Sequence, residues 1–139
     1  MKTIEDIIYH TTRELRNVED KLRIATVFLF CKQLGQDRLS ELLYVDDHVK
    51  FISDLNEEFS NYEVDFTINL SDMNIRNAFY KTLEQVRQEW DEDGFLKAIW
   101  EGDEFALVIL KIINTDFSKE KFINRKAKMA HRLGLWQEK

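Results

Sequence analysis

Residues 62–70 alternate more regularly than any other stretch of the chain. Tyr62, Val64, Phe66, Ile68 and Leu70 fall on one side, and Glu63, Asp65, Thr67 and Asn69 on the other. Successive side chains of an extended segment point to opposite faces, so this period of two predicts a half-buried β-strand. Two further apolar runs, 95–100 and 105–113, flank Glu101, Gly102, Asp103 and Glu104. A glycine in a short polar break between such runs predicts a hairpin. The expected fold class is α+β: four to five helices, one of them a long N-terminal helix, packed on a small three-stranded antiparallel sheet of 62–70, 95–100 and 105–113. At 139 residues this is read as a single domain, 1–139.

The helices are read from spacing and caps. Thr3 is an N-cap, with Glu5 and Asp6 in the first turn, where acids suit the positive end of the helix dipole. Apolar or small residues then recur at Ile4, Ile8, Thr11, Leu15, Val18, Leu22, Ala25 and Leu29, a heptad seam that predicts one helix over 3–34, closed by Gly35, with Asn17 as the place for a break. The seam suits either packing across the chain's own core or a coiled-coil homodimer. Arg16 with Asp20, and Glu19 with Arg23, stand at i,i+4 as pairs on the outer face, whereas 24–31 is apolar nearly all round and should be buried on several sides.

Asp37 or Ser40 starts a short second helix through Leu42, Leu43 and Val45. Asp46 and Asp47 cap a third helix carrying Val49, Ile52, Leu55 and Phe59 and ended by Asn61. Ser71 and Asp72 cap a helix over 72–93 with an apolar stripe of Ile75, Phe79, Leu83, Val86 and Trp90, stopped by Gly94. A last helix from Lys119 to Gly134 places Phe122, Ile123, Ala127, Ala130 and Leu133 on one face.

With 44% apolar residues the chain can build a core, and the absence of proline fits long helices with few rigid turns. The one cysteine, Cys31, allows no internal disulfide, which favours a reducing, cytoplasmic setting. Glu5 and Asp6 interrupt the start of the chain where a secretory signal would need an apolar run. Apolar runs such as 24–31 and 105–110 fall short of the ~20 residues of a membrane span, so no membrane partner is expected. The net charge of −6 is unevenly spread: residues 118–139 hold seven Lys or Arg against two acids, +5, and the rest of the chain is −11.

Chemistry-bearing patterns are few. Glu89, Asp91 and Asp93 before Gly94 resemble the first half of a calcium loop, but its twelfth position falls on Trp100, where a bidentate carboxylate is needed. His10, His48 and His131 form no H-x₃-H pair, and with a single cysteine no zinc spacing exists. Cys31 sits in the most apolar helical segment, as a core thiol rather than a nucleophile. Gly35, Gly94, Gly102 and Gly134 are too dispersed for a phosphate loop, and no Gly-x-Ser-x-Gly elbow occurs. Glu63 and Asp65 read as solvent-facing acids of the strand. His48 beside Asp46 and Asp47 reads as part of a helix start. Helix 72–93 followed by a hairpin has the order of a winged helix, but Arg76, Lys81 and Arg87 are its only cations and the wing is acidic, a poor face for phosphates.

Two charged surfaces remain. One is the basic face of the last helix: Lys119, Lys121, Arg125, Lys126, Lys128 and Arg132. The other is the acidic end of the hairpin: Asp91, Glu92, Asp93, Glu101, Asp103 and Glu104. The leading expectation is a non-enzymatic cytoplasmic protein-interaction module that needs no cofactor or metal: an adaptor, regulator or small inhibitor of another macromolecule. The second is a nucleic-acid-associated regulator using the basic helix. The third is a hydrolase with a scattered carboxylate site.

Overall fold

The computed structural model describes residues 3–58 and 67–93. They form α1 (Ile4–Thr12), α2 (Val18–Leu34), α3 (Gln36–Tyr44), α4 (His48–Glu58) and α5 (Met73–Asp93). Helix α1 packs on α5 and α2, α2 on α3, and α3 on α5, so four of the helices close a ring around one core. Helix α2 carries the largest share of that core: Ile24, Ala25, Val27, Phe28, Leu29 and Cys31 have no exposed surface. Phe28 meets Phe79 of α5 with ring centroids 5.6 Å apart.

The expected helix over 3–34 is two helices. Thr3 begins the first with a full capping box: its hydroxyl accepts from the Asp6 N–H, and the Asp6 carboxylate accepts from the Thr3 N–H. At the far end Thr12 turns its hydroxyl back onto the Ile8 carbonyl at 2.7 Å, a bond that competes with the regular ladder and bends helices. Asn17 then offers its side-chain oxygen to the Glu19 N–H at 2.8 Å and starts α2 afresh. The seam survives the break, because Ile4, Ile8, Thr11, Leu15, Leu22, Ala25 and Leu29 are all buried within this one chain. The Glu19–Arg23 pair forms at 2.8 Å. Arg16 lies in the connector rather than on α2, and no ion pair joins it to Asp20.

The sheet expectation is corrected. Among the described residues there are five helices and no strand, so the α+β assignment gives way to a helical architecture. Residues 67–70 are the described end of the expected first strand. Ile68 and Leu70 do turn inward and Thr67 and Asn69 outward, as the alternation implies. No ladder forms, because the backbone folds into turns: the Leu70 N–H reaches the Ile68 carbonyl, and the Asp72 N–H the Asn69 carbonyl. Arg23 ties this lead-in to α2 through the Thr67 carbonyl at 3.2 Å. Residues 62–66, the runs 95–100 and 105–113, Phe59, Asn61 and the helix expected from Lys119 lie outside the described residues.

The remaining helices start close to where caps placed them. Asp47 accepts from the Lys50 N–H at 3.1 Å, and Asp72 from the N–H groups of Asn74 and Ile75 at 2.9 and 3.2 Å. The stripe of α5 is buried at Ile75, Phe79, Leu83 and Val86, with Trp90 partly buried. Helix α3 begins at Gln36, directly after Gly35, and Val45 is its extended C-cap rather than part of the helix. The face of α4 is shifted from expectation: Val49 is exposed, and His48, Phe51, Ile52 and Leu55 point inward.

Gly35 joins α2 to α3 with φ 126° and ψ 172°, a region essentially reserved for glycine. An added Cβ would meet no atom within 4 Å, so the cost of Gly35→Ala is backbone strain and not a clash. Urea unfolding should show a loss of about 1–3 kcal/mol. Lys21 tests a different term. It is 6% exposed, burial pulls its ammonium below the usual lysine range, and it has no hydrogen-bond or ion-pair partner among the described residues. Because its folded pKa is depressed, the penalty is present at neutral pH and fades only as pH rises toward 10.5. Lys21→Met should therefore stabilise the fold at pH 7, by an amount on the order of 1 kcal/mol, read as a raised Tm.

Candidate functional site

Two features of the described surface merit a functional reading. The first is the corner where α3 ends, α4 begins and α5 passes behind both. A nine-residue helix leaves its last carbonyls without helical partners. Here the Glu41 carbonyl is taken by the Val45 N–H at 2.9 Å. The next two are taken by side chains from elsewhere. His48 Nε2 lies 2.9 Å from the Leu42 carbonyl, and Arg87 donates from Nε at 2.7 Å, and from Nη2, to the Leu43 carbonyl. Both cap a helix C-terminus, the negative end of its dipole.

Aromatic rings are gathered around these caps. The Arg87 guanidinium sits over the Tyr44 ring, 5.6 Å from its centroid. The imidazole of His48 is edge-on to Phe79 at 5.6 Å and to Tyr80 at 5.5 Å. Phe79 belongs to the core, but Tyr44 (53% exposed), Val49 (64%) and Tyr80 (43%) face water. Met73 (64%), Tyr80 and Arg87 follow one another at seven-residue steps along α5, so they share one flank of it, with Arg87 part-buried against the end of α3. His48 itself is 5% exposed, and its pKa is lowered: burial dominates, and the Arg87 charge adds to it, against the Leu42 hydrogen bond and Asp47.

The second feature is a cleft of about 480 Å³ at the elbow between α1 and α2, facing the first half of α5. Its floor is Thr11, Leu15, Ile75 and Ala78. Its walls carry Glu14, Arg16, Asn17 and Asp20 on one side, and Asp72, Asn74, Asn77 and Lys81 on the other. The N-termini of α2 and α5 meet here, which is why capping and first-turn acids face one another across it. Asp20 is raised above the usual carboxylate range, by burial first and then by Glu19 and Asp72, with Arg23 opposing. The charges of both signs are spread over the rim rather than converging on one point. Among the described residues no three His, Cys, Asp or Glu side chains gather closely enough to hold a metal ion.

The residues singled out in the sequence fare unevenly. Asp91, Glu92 and Asp93 lie in the last turn of α5, so 89–93 is helix, not the loop that a calcium site or a hairpin approach would need. Glu101, Asp103, Glu104, Lys119, Lys121, Arg125, Lys126, Lys128, Arg132, Glu63, Asp65 and His131 lie outside the described residues. Cys31 is buried in the core, its thiol pushed up to about 12 by burial, and so carries no thiolate at neutral pH. His10 is exposed on α1, and His48 is a buried cap rather than a surface residue of a helix start. Sequence reading missed Tyr44, Val49 and Tyr80. The signal available was the spacing of Met73, Tyr80 and Arg87, which falls off the buried stripe of α5.

Asp20 gives the cleft a measurable signature. A carboxyl whose folded pKa is raised contributes stability below its unfolded value, near 3.8, and loses it as pH rises through the folded value. Asp20→Asn should accordingly raise Tm at pH 7 by about 1–3 °C, and the gain over wild type should vanish as pH is lowered toward 3.8. No protein-family model, curated protein or solved structure matches the chain, so its own geometry carries the functional reading.

Proposed function

We propose that the chain is a non-enzymatic protein-interaction module, an adaptor, regulator or small inhibitor of another macromolecule, that works in the cytoplasm. The observation that supports this reading is the α3–α4–α5 corner, where Tyr44, Val49 and Tyr80 are open to water, Tyr44 beneath the Arg87 guanidinium and Tyr80 beside His48. Tyrosine and arginine supply large contact areas at low entropic cost and are enriched among residues that dominate binding energy. Their positions are fixed before any partner arrives, because His48 and Arg87 are tied to the α3 carbonyls. A preset face of this kind loses little freedom on binding. A cytoplasmic setting is supported by the lone buried thiol. No helix among the described residues is long and apolar enough to cross a membrane.

The second reading, a nucleic-acid-associated regulator, is favoured by one sequence observation, the +5 charge of residues 118–139. One set of variants separates the two. Affinity capture from the native cell extract should yield a complex with wild type that falls at least tenfold for Tyr44→Ala/Tyr80→Ala, with helical content unchanged by circular dichroism. Neutralising Arg125, Lys126 and Lys128 should leave that complex intact. A salt-dependent mobility shift with nucleic acid that is lost on neutralising those three, with capture indifferent to the tyrosines, would sink the interaction reading in favour of the second.

A further inference from the structure

His48 is the one histidine among the described residues with a built environment. Its ring is almost wholly buried, and one nitrogen is committed to the Leu42 carbonyl. Its flanks meet Phe79 and Tyr80 edge-on. A neutral imidazole fits this setting as a donor through Nε2–H, which leaves Nδ1 without a proton. Nδ1 has no hydrogen-bond partner among the described residues. Proton uptake would place a second N–H, and a positive charge, on a ring that is almost wholly buried and flanked by Phe79 and Tyr80. The charged groups that face the ring are Arg87 from α5 and Asp47 from the α3–α4 connector, and Tyr80 adds a titratable hydroxyl from α5. The Leu42 carbonyl, at the negative end of the α3 dipole, favours the charged ring, but burial outweighs it, and Arg87 also opposes a second cation. Asp47 favours one, but its carboxylate already accepts from the Lys50 N–H.

We propose that His48 is an acid-sensitive latch: its neutral ring holds the start of α4 against the end of α3 and the flank of α5, and proton uptake releases it, opening the corner that carries Tyr44, Val49 and Tyr80. The release frees the Leu42 carbonyl and removes the ring against which Tyr80 rests. The lowered pKa agrees in sign. The closed corner is fully favoured above the ordinary histidine value of 6.5, and the advantage is lost as pH falls from there through the folded value. Opening takes up at most one proton within that window, so the open fraction should rise by no more than tenfold for each pH unit. As a control on a surface that captures other proteins, the latch rests on the function proposed above, although its opening can be measured on the isolated chain.

The test follows amide protection factors by hydrogen exchange from pH 7.5 to 5.0, with the His48 ring titrated by NMR. In wild type, protection of residues 42–52 should fall as pH drops from 6.5 toward the folded value and level off below it, ahead of the amides of α1. His48→Gln keeps an N–H donor for the Leu42 carbonyl but cannot titrate, and its corner should hold protection across the range. The proposal is overturned if His48→Gln shows the same fall as wild type, or if the wild-type ring titrates at or above 6.5 with the corner still protected. Should the glutamine variant not fold, the comparison of corner with α1 amides in wild type decides alone: a selective early loss at the corner supports the latch, and a uniform loss overturns it. A corner that opens in acid while wild type goes on capturing its partner unchanged supports the latch and overturns the interaction surface.

Discussion

Helix α2 has to be wrapped, and most of this structure follows from that. A helix with Ile24, Ala25, Val27, Phe28, Leu29 and Cys31 all out of water has no solvent face along that stretch. Fully burying one large apolar side chain contributes about 1.5–3 kcal/mol, so leaving half of these bare would cost an amount comparable with a domain's usual margin of stability, about 5–15 kcal/mol. The helices that do the wrapping could not stand by themselves. Helices α1 and α3 have nine residues each and α4 has eleven, lengths at which an isolated helix is marginal in water. They persist because α2 and α5 offer them apolar surface. Where α1 crosses α5, the hydroxyls of Thr11 and Thr82 meet at 2.6 Å inside the core. Each can also donate to a carbonyl of its own helix, Ile7 or Ala78. One proton per hydroxyl allows the chain to run in either direction, and both oxygens stay satisfied in each. The contact adds no orphaned polar group to a core that cannot tolerate one.

What was legible in the sequence was local. Thr3, Asn17, Asp47 and Asp72 each begin a helix through their own side-chain oxygen, a bond spanning two or three residues that spacing alone reveals. The buried stripe of α5 was legible for the same reason. The register of α4 was not. Residues 49, 52, 55 and 59 and residues 48, 51, 52 and 55 both keep helical spacing and share Ile52 and Leu55. Only the carbonyl of Leu42 and the rings of α5 choose the second set, and those lie outside α4. The strand failed in a related way. Alternation states which side chains are covered, and at Ile68 and Leu70 it stated that correctly. It does not state that a neighbouring strand supplies the cover. Here the described cover is helical, and the backbone spends its hydrogen bonds in turns before α5.

The electrostatics of the cleft follow from the same packing. Glu19 and Asp20 suit the N-terminus of α2, and Asp72 suits that of α5. Each acid is favourable on its own helix. Burial raises the Asp20 pKa first, and bringing the two N-termini to one elbow adds to it by setting Glu19 and Asp72 near its carboxylate. Arg16 and Lys81 reach the same cleft, but Arg16 is not an ion-pair partner of Asp20. The cleft is thus a by-product of two good helix starts packed side by side, and neither start alone contains its charge pattern.

The aromatic corner has a comparable origin, and it explains why large rings stay wet there. Helix α3 ends inside the fold, so the carbonyls of Leu42 and Leu43 need donors that the helix cannot supply. A guanidinium and an imidazole provide them. A guanidinium is costly to bury completely, since its remaining donors need water or a partner. The corner therefore cannot be sealed by further aliphatic packing. A ring laid over Arg87 is the compatible cover: Tyr44 lends its face to the cation, and Tyr80 meets the neutral His48 ring at nearly a right angle. Capping a buried helix end with an imidazole from α4 and a guanidinium from α5 thus obliges the fold to keep aromatic surface at the water boundary. A partner that covers Tyr44 and Tyr80 would complete the burial that α3's own cap prevents.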